Sequence, residues 1–250
     1  MIPQPHLPTR HDVVDESLRS KAPTRIAGMF DAIAARYDLL NRVLSGGVDQ
    51  WWRRRAVTSL RLTGRETLLD LCTGTADVAV MACRRGGAAR AMGVDFSHEM
   101  LRVGLRKVRR RALGGSIVLV RGDATRIPVS DASVDAAAIA FGIRNVQQPE
   151  LACRELARVV RKGGRLAVLE FGMPRSPFFR RVYTWYSNRV LPAVGKLVSR
   201  HASAYDYLPE SVSRFPPPEE FGQMLQDCGF PHVEIVPLSF GIVYLYTAQR

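Results

Sequence analysis

The sequence predicts an α/β fold: a doubly wound, mostly parallel sheet with N-terminal helices and an inserted helix near the C-terminus. Three observations carry this. Between residues 67 and 170, short apolar runs alternate with helical stretches, the pattern of a parallel sheet with right-handed crossovers. The first three runs close on an aspartate (Asp70, Asp95, Asp123) and the fourth on the Phe141-Gly142 turn. These residues therefore gather beyond the carboxyl ends of the strands, where such sheets bind ligands. With 250 residues, 46% of them hydrophobic and 24% charged, the chain is long enough for one sizeable core and short for two.

Each element has its own warrant. From residue 26 to about 62 the period is helical: Phe30, Ile33, Ala34, Tyr37 and Leu40 recur at three- and four-residue steps, and Trp51, Trp52, Val57 and Leu60 mark a second, shorter helix. Gly46-Gly47 parts the two. Residues 67–71 form the first strand, followed by the turn Thr73-Gly74-Thr75 and a helix to Cys83. Residues 91–94 are the second strand, with a helix from about His98, and residues 117–120 are the third. Residues 134–140 are the fourth strand, 151–160 a helix, and 165–170 the fifth strand, entered through Gly163-Gly164. Pro216-Pro217-Pro218 opens a helix over 219–228, and residues 233–236 and 242–247 read as a closing pair of strands. One domain is expected over residues 25–250. A loosely attached or disordered arm, 1–24, precedes it, and residues 175–212 form a lid.

Composition narrows the class. The proline-punctuated start (Pro3, Pro5, Pro8) has no apolar signal segment, and no run approaches the roughly 20 apolar residues of a membrane span. Cys72, Cys83, Cys153 and Cys228 form no CxxC pair and have no histidines at metal-ligand spacing, so reduced thiols, no metal and a cytoplasmic setting are expected. The 36 Lys and Arg against 23 Asp and Glu give a net charge of +13. That field suits nucleic acid or anionic lipid, and an arginine-rich proteome would produce it too.

The segment around Asp70, Gly74 and Thr75 is a strand, a tight turn and a helix start, where Gly74 permits close backbone approach and free N–H groups suit a polar ligand. A single glycine falls short of the G-x-G-x-x-G dinucleotide signature. Asp95 is placed to accept both hydroxyls of an adenosine ribose, with Phe96 beside it, and Asp123-Ala124 to meet the adenine amino group. Any one of these aspartates alone would be read as a cap on a loop or helix. Three at successive strand ends favour a ligand site, with Ala140 on the neighbouring strand.

Three stretches are more specific: residues 29–41 (MFDAIAARYDLLN) with Leu44-Ser45, residues 140–146 (AFGIRNV), and Arg158-Val159-Val160 leading through Gly163-Gly164 to Leu169-Glu170-Phe171. On these the chain, from about Met29 onward, resembles the ubiquinone/menaquinone biosynthesis C-methyltransferases. The resemblance implies a class I, Rossmann-like fold and S-adenosylmethionine as cofactor, with S-adenosylhomocysteine as product. Thr75, Asp95, Asp123 and Ala124 stand at cofactor-binding positions. The substrate it implies is a 2-polyprenyl-1,4-naphthoquinol or a related benzoquinol. The chain departs from the pattern at Cys72 and Ala76, where methyltransferase loops in general carry glycine. Asp49 or Gln50 stands where the family usually has histidine, Arg161-Lys162 where Lys-Pro is common, and Gly172 where there is a serine.

A ring carbon is a poor nucleophile until a neighbouring hydroxyl loses its proton, so a base or a charge stabiliser is expected near the methyl. His6, His11, His98 and His232 fall in surface, capping or arm positions. Arg144 and Asn145, just past the fourth strand, are the catalytic candidates, Arg144 as a cation that holds the developing phenolate or a water and Asn145 as an orienting group. A salt bridge is the competing role for Arg144. Tyr37, Phe141, Arg144 and Tyr183 are the substrate-binding candidates. Phe178, Phe179, Val182, Tyr183, Trp185, Tyr186, Val190 and Leu191 make an aromatic helix flanked by Arg175, Arg180, Arg181 and Arg189, and no acid occurs from Phe171 to Tyr205. Such a helix suits an anionic membrane surface and predicts a peripheral protein at the inner face of the cell membrane. It serves equally as a lid, and Pro192 is expected to end or kink it. A homodimer is compatible with these features. Nucleic acid is not the expected partner: Arg102, Arg106, Lys107, Arg109, Arg110 and Arg111 lie on the helix after Asp95, away from the strand ends, and no RNA-binding module is appended. An RNA methyltransferase and a non-catalytic quinone-binding protein are the alternatives.

Overall fold

The computed structural model describes residues 23–190 and 203–250. His6 and His11, nearly all of the expected arm, and Leu191 and Pro192 lie outside the described residues. The chain enters through α1 (Pro23–Ile33), α2 (Tyr37–Ser45) and α3 (Val48–Ser59), with Gly46 and Gly47 in left-handed conformations between the last two. There follow β1 (Thr67–Leu71), α4 (Asp77–Met81), β2 (Arg90–Asp95), α5 (His98–Arg110), β3 (Ile117–Arg121), β4 (Val134–Ala140), α6 (Pro149–Val159) and β5 (Val160–Phe171). The remainder comprises α7 (Pro177–Trp185), α8 (Ser203–Ser213), α9 (Pro218–Asp227), β6 (His232–Leu238) and β7 (Val243–Gln249).

The seven strands form one sheet in the order β3-β2-β1-β4-β5-β7-β6. Strands β1 to β5 run parallel, and β7 lies antiparallel between β5 and β6. The order reverses between β1 and β4, the crevice where doubly wound sheets bind ligands. Leu68, Leu69, Asp70 and Leu71 are fully buried, as expected of a strand covered on both faces. The alanines of β4 keep its side chains short: Ala136 and Ala138 pack with Trp52, Ala56 and Val57 of α3, while Ala137 and Ile139 pack with Ala152, Cys153 and Leu156 of α6.

β5 begins five residues earlier than its sequence pattern suggests. Val134 pairs with Val160 and Ala136 with Arg165, so residues 161–164 leave the ladder as a bulge. The C-terminus pins that bulge: Gly163 N–H donates to Arg250 O at 2.7 Å, and Arg250 N–H to Gly164 O at 3.0 Å. All four cysteines are unpaired. Among the described residues there is no metal-ligand cluster, and no helix is long and apolar enough to cross a membrane.

Candidate active site

Two cavities open at the carboxyl ends of the parallel strands. The first is walled by Gly74 after β1, Asp95 and Phe96 after β2, Asp123 and Ala124 after β3, and Ala140 and Asn145 at the end of β4. Asp95 Oδ2 accepts from Gly74 N–H and its Oδ1 from Ser97 N–H, each at 2.8 Å. Burial pushes the Asp95 carboxyl above its usual range against the pull of these N–H donors. A carboxylate has about four acceptor positions, so both oxygens keep capacity for a pair of hydroxyls. Asp123 Oδ1 accepts from Thr125 N–H and its hydroxyl, both at 2.8 Å, which fixes the loop after β3. Asn145 donates weakly to Phe141 O at 3.4 Å, and its Oδ1 is buried without a partner. An orphaned acceptor on a cavity wall points to a ligand that donates. Paired acceptors at Asp95 and the free one at Asn145 fit the ribose and amino groups of S-adenosylmethionine.

Two residues expected at the cofactor stand behind the loop instead. Asp70 is completely buried and does not line the cavity. Its Oδ2 accepts from the Thr73 hydroxyl at 2.5 Å and from Ala79 N–H at 3.0 Å, tying the turn to α4, and burial raises its carboxyl to about 7. The Thr75 hydroxyl donates to Asp38 Oδ1 at 2.5 Å and receives Lys107 Nζ at 2.9 Å. The loop itself keeps the backbone that its glycine-poor sequence makes costly: Cys72 (φ 55°) and Ala76 (φ 65°) both lie in the left-handed region. Gly142 is required opposite them, because a Cβ there would sit 2.3 Å from Cys72 Cβ.

The N-terminal helices cover this cavity with Ile26, Ala27, Phe30 and Tyr37. Asp31 Oδ1 accepts from Ser97 Oγ at 2.5 Å and from Glu99 N–H at 3.0 Å, at the start of α5. Asp38 pairs with Lys107 at 2.7 Å, and Lys107 also pairs with Asp77. Lys107 thus turns inward from the basic face of α5. Sequence reasoning missed Asp31 and Asp38; their signal was a pair of acids seven residues apart on a helical face.

The second cavity, about 330 Å³, shares Phe30, Tyr37 and Phe141 with the first and is largely apolar and aromatic. Phe141 (φ 62°) holds a strained backbone at the border between them; its ring packs on Phe171 at 4.6 Å between centroids and edge-on to Trp52 at 6.0 Å. Arg144 and Tyr183 line the same space. Arg144 Nη1 donates to Glu170 Oε1 at 2.7 Å and to Phe141 O at 2.6 Å, Nε reaches Ser211 Oγ at 3.3 Å, and the guanidinium lies 5.3 Å from the Phe171 ring centre. Arg144 is therefore both ion-paired and on the cavity wall. Burial pushes the Tyr183 phenol upward, so it is a neutral donor. The Tyr186 hydroxyl, just after α7, donates to Leu44 O at 2.5 Å and ties the end of α7 to α2.

Fold and site together define an S-adenosylmethionine-dependent methyltransferase of class I. The fold resembles a SAM-dependent methyltransferase from Aquifex aeolicus (TM-score 0.56, 19% identity, 91% of this chain and 97% of that one). It also resembles the cyclase SpnF (TM-score 0.60, 15% identity, 90% and 94%), so architecture alone does not carry the reaction. Sequence kinship goes further: residues 18–250 match the ubiE/COQ5 methyltransferase family, and the chain belongs to it. It is 46% identical over 222 residues to the ubiquinone/menaquinone biosynthesis C-methyltransferase UbiE of Syntrophotalea carbinolica, covering 89% of this chain and 92% of that one. Identity to the demethylmenaquinone methyltransferase of Thermus thermophilus is 45% over 222 residues (89% and 100%), and to that of Bacteroides fragilis 38% over 230 residues (92% and 94%).

Proposed function

We propose that the chain methylates the ring carbon of a 2-polyprenyl-1,4-naphthoquinol, turning demethylmenaquinol into menaquinol. The observation that carries this is the pairing of cavities. A polar one suited to the cofactor adjoins, across Phe30, Tyr37 and Phe141, an aromatic one of about 330 Å³ suited to an aromatic ring. Relatives named for demethylmenaquinone support the same ring.

S-adenosylmethionine, when bound, supplies an electrophilic methyl on a sulfonium. Asp95 holds the ribose hydroxyls, Asp123 and Ala124 flank the adenine, and the Gly74 backbone allows close approach. The cover formed by α1 and α2 excludes water, and the two adjoining cavities position the partners for an in-line displacement. On the substrate side Tyr37, Phe141 and Tyr183 pack the ring. Arg144 stabilises the phenolate that forms beside the accepting carbon once its proton is lost to solvent, as a preorganised cation in a site closed to water. Asn145, on the cofactor side of Phe141, keeps its free Oδ1 for the amino group of S-adenosylmethionine.

The prenyl tail gives a reason for a membrane-facing surface. α7 leaves Phe178 69%, Val182 48% and Trp185 61% exposed, beside Arg180 and Arg181. Phe179 stacks at 4.1 Å on Phe240, which is itself 69% exposed. Exposed aromatics among arginines suit the headgroup region of an anionic bilayer, and support peripheral attachment at the inner face of the cell membrane. Transfer of labelled methyl to a prenylated naphthoquinol, a prenylated benzoquinol and RNA tests the assignment. The naphthoquinol should be the best acceptor; transfer to neither quinol by protein that binds S-adenosylhomocysteine would overturn it.

A further inference from the structure

The aromatic cavity contains a second buried ion pair that the scheme above does not use. Asp49 and Arg53, one turn apart on α3, are 4% and 5% exposed and both line the cavity. Arg53 Nη1 donates to Asp49 Oδ2 at 2.5 Å, Gln50 Nε2 donates to the same oxygen at 3.0 Å, and Asp49 Oδ1 accepts from the Ser45 hydroxyl at 3.1 Å, which leaves the spare acceptor capacity on Oδ1. The Arg53 guanidinium lies 5.2 Å from the centre of the Phe141 ring. Nη1 makes all the hydrogen bonds of Arg53 to described residues, the second being to Asp49 O at 3.4 Å. Nε and Nη2 have no such partner.

A charge pair on an apolar wall is costly. Its desolvation is only repaid by good geometry and further hydrogen bonds, and apolar residues of similar volume would often be as stable. This pair leaves hydrogen-bonding capacity unused on both members while facing a cavity. A 1,4-quinol carries oxygens at opposite ends of its ring. Arg144–Glu170, from the turn after β4 and from β5, supplies one polar post at this cavity, and Asp49–Arg53, from α3, supplies another. Phe141 sits at both: its carbonyl holds Arg144 and its ring lies under Arg53.

We propose that Asp49–Arg53 is the second oxygen-binding post. The hydroxyl para to the reacting one donates to Asp49 while Arg53 faces the same oxygen, so the pair selects a 1,4-dioxygenated ring over a mono-oxygenated one. Its role is to position the ring and set specificity, with no proton transferred. The inference rests on the quinol reading above.

The test compares 2-geranyl-1,4-naphthoquinol with 3-geranyl-1-naphthol, which keeps the reacting hydroxyl and lacks the other. Affinity is read anaerobically without cofactor, from quenching of tryptophan fluorescence, since Trp52 lines the cavity; kcat/KM for methyl transfer is read in parallel. The parent should prefer the quinol. Replacing the whole pair, Asp49→Leu with Arg53→Met, should reduce that preference about tenfold to a hundredfold, the worth of a hydrogen bond to a charged group, with S-adenosylhomocysteine affinity retained. Asp49→Asn, which leaves a neutral acceptor, should reduce it by less and serves if the double variant fails to fold. Comparing that preference between variant and parent cancels the intrinsic reactivity of the two compounds. An unchanged preference in a folded variant overturns the second post and leaves the quinol assignment standing. A parent that binds S-adenosylhomocysteine but neither ring compound overturns the quinol assignment, and this inference with it.

Discussion

Replacing Arg144 separates its two roles, because the structure gives each a different magnitude. Glu170 is completely buried, and without Arg144 its carboxylate keeps only two backbone donors, Arg144 N–H at 3.2 Å and Phe171 N–H at 2.8 Å. Breaking a buried pair in this way costs about 3–5 kcal/mol. At roughly 2–4 °C per kcal/mol for a domain of this size, Arg144→Ala should lower Tm by about 6–20 °C. Removing the pair altogether, Arg144→Met with Glu170→Leu, leaves no orphaned charge and should recover most of that loss. The two variants then share a missing cation and differ in stability. If Arg144 stabilises phenolate charge that grows toward the transition state, both should lose about 10²–10³ in kcat, the usual worth of one electrostatic donor, with little change in S-adenosylmethionine affinity. Arg144→Lys keeps the charge but not the fork that spans Glu170, Phe141 O and Ser211, so it should remain impaired. The measurements are Tm by scanning fluorimetry, cofactor affinity by calorimetry and turnover on a prenylated naphthoquinol. Turnover that returns with Tm in the double variant, or near-parental turnover in Arg144→Lys, would refute the catalytic role and leave a structural ion pair.

Three further outcomes are expected. Asp95→Ala should weaken S-adenosylmethionine binding by about 1–3 kcal/mol, the cost of unpaired hydroxyls, read by calorimetry; unchanged affinity would remove Asp95 from the ribose. Arg180→Glu with Arg181→Glu should weaken salt-sensitive binding to anionic vesicles, and equal sedimentation of variant and parent would show that α7 does not meet the lipid. Asp70 is raised from 3.8 to about 7 by burial, so the folded state holds a proton that the unfolded chain has released. Its contribution to stability is present below pH 3.8 and is lost as pH rises to about 7. Tm of the parent relative to Asp70→Asn should therefore fall across that window, and a flat difference between the two would show that Asp70 does not titrate there.

Most of the sheet was legible because both faces of its inner strands are buried, and burial on two sides forces continuous apolar runs that end sharply where the ligand site begins. Runs of Leu, Val and Ala stop at Asp95, Asp123 and Phe141, and those residues do line the cavities. The early start of β5 was hidden because residues 161–164 bulge out of the ladder and read as a polar turn. Position along the chain located residues near the strand ends without saying which side of a loop each would face. Asp70 and Thr75 fall on the far side, one against the backbone of α4, the other against Asp38 and Lys107. The covering role of α1 was illegible for a related reason: periodicity shows that a helix has an apolar face and is silent about what that face lands on. What fixes the landing here is polar and local. Asp31 meets Ser97 and the Glu99 N–H at the start of α5, and seven residues on Asp38 meets Lys107 further along the same helix. Two anchors about two turns apart hold Phe30 and Tyr37 over the border between the cavities. The acids of the family-specific stretch 29–41 therefore act on α5, and through it place the aromatic residues that both the cofactor and the substrate cavities share.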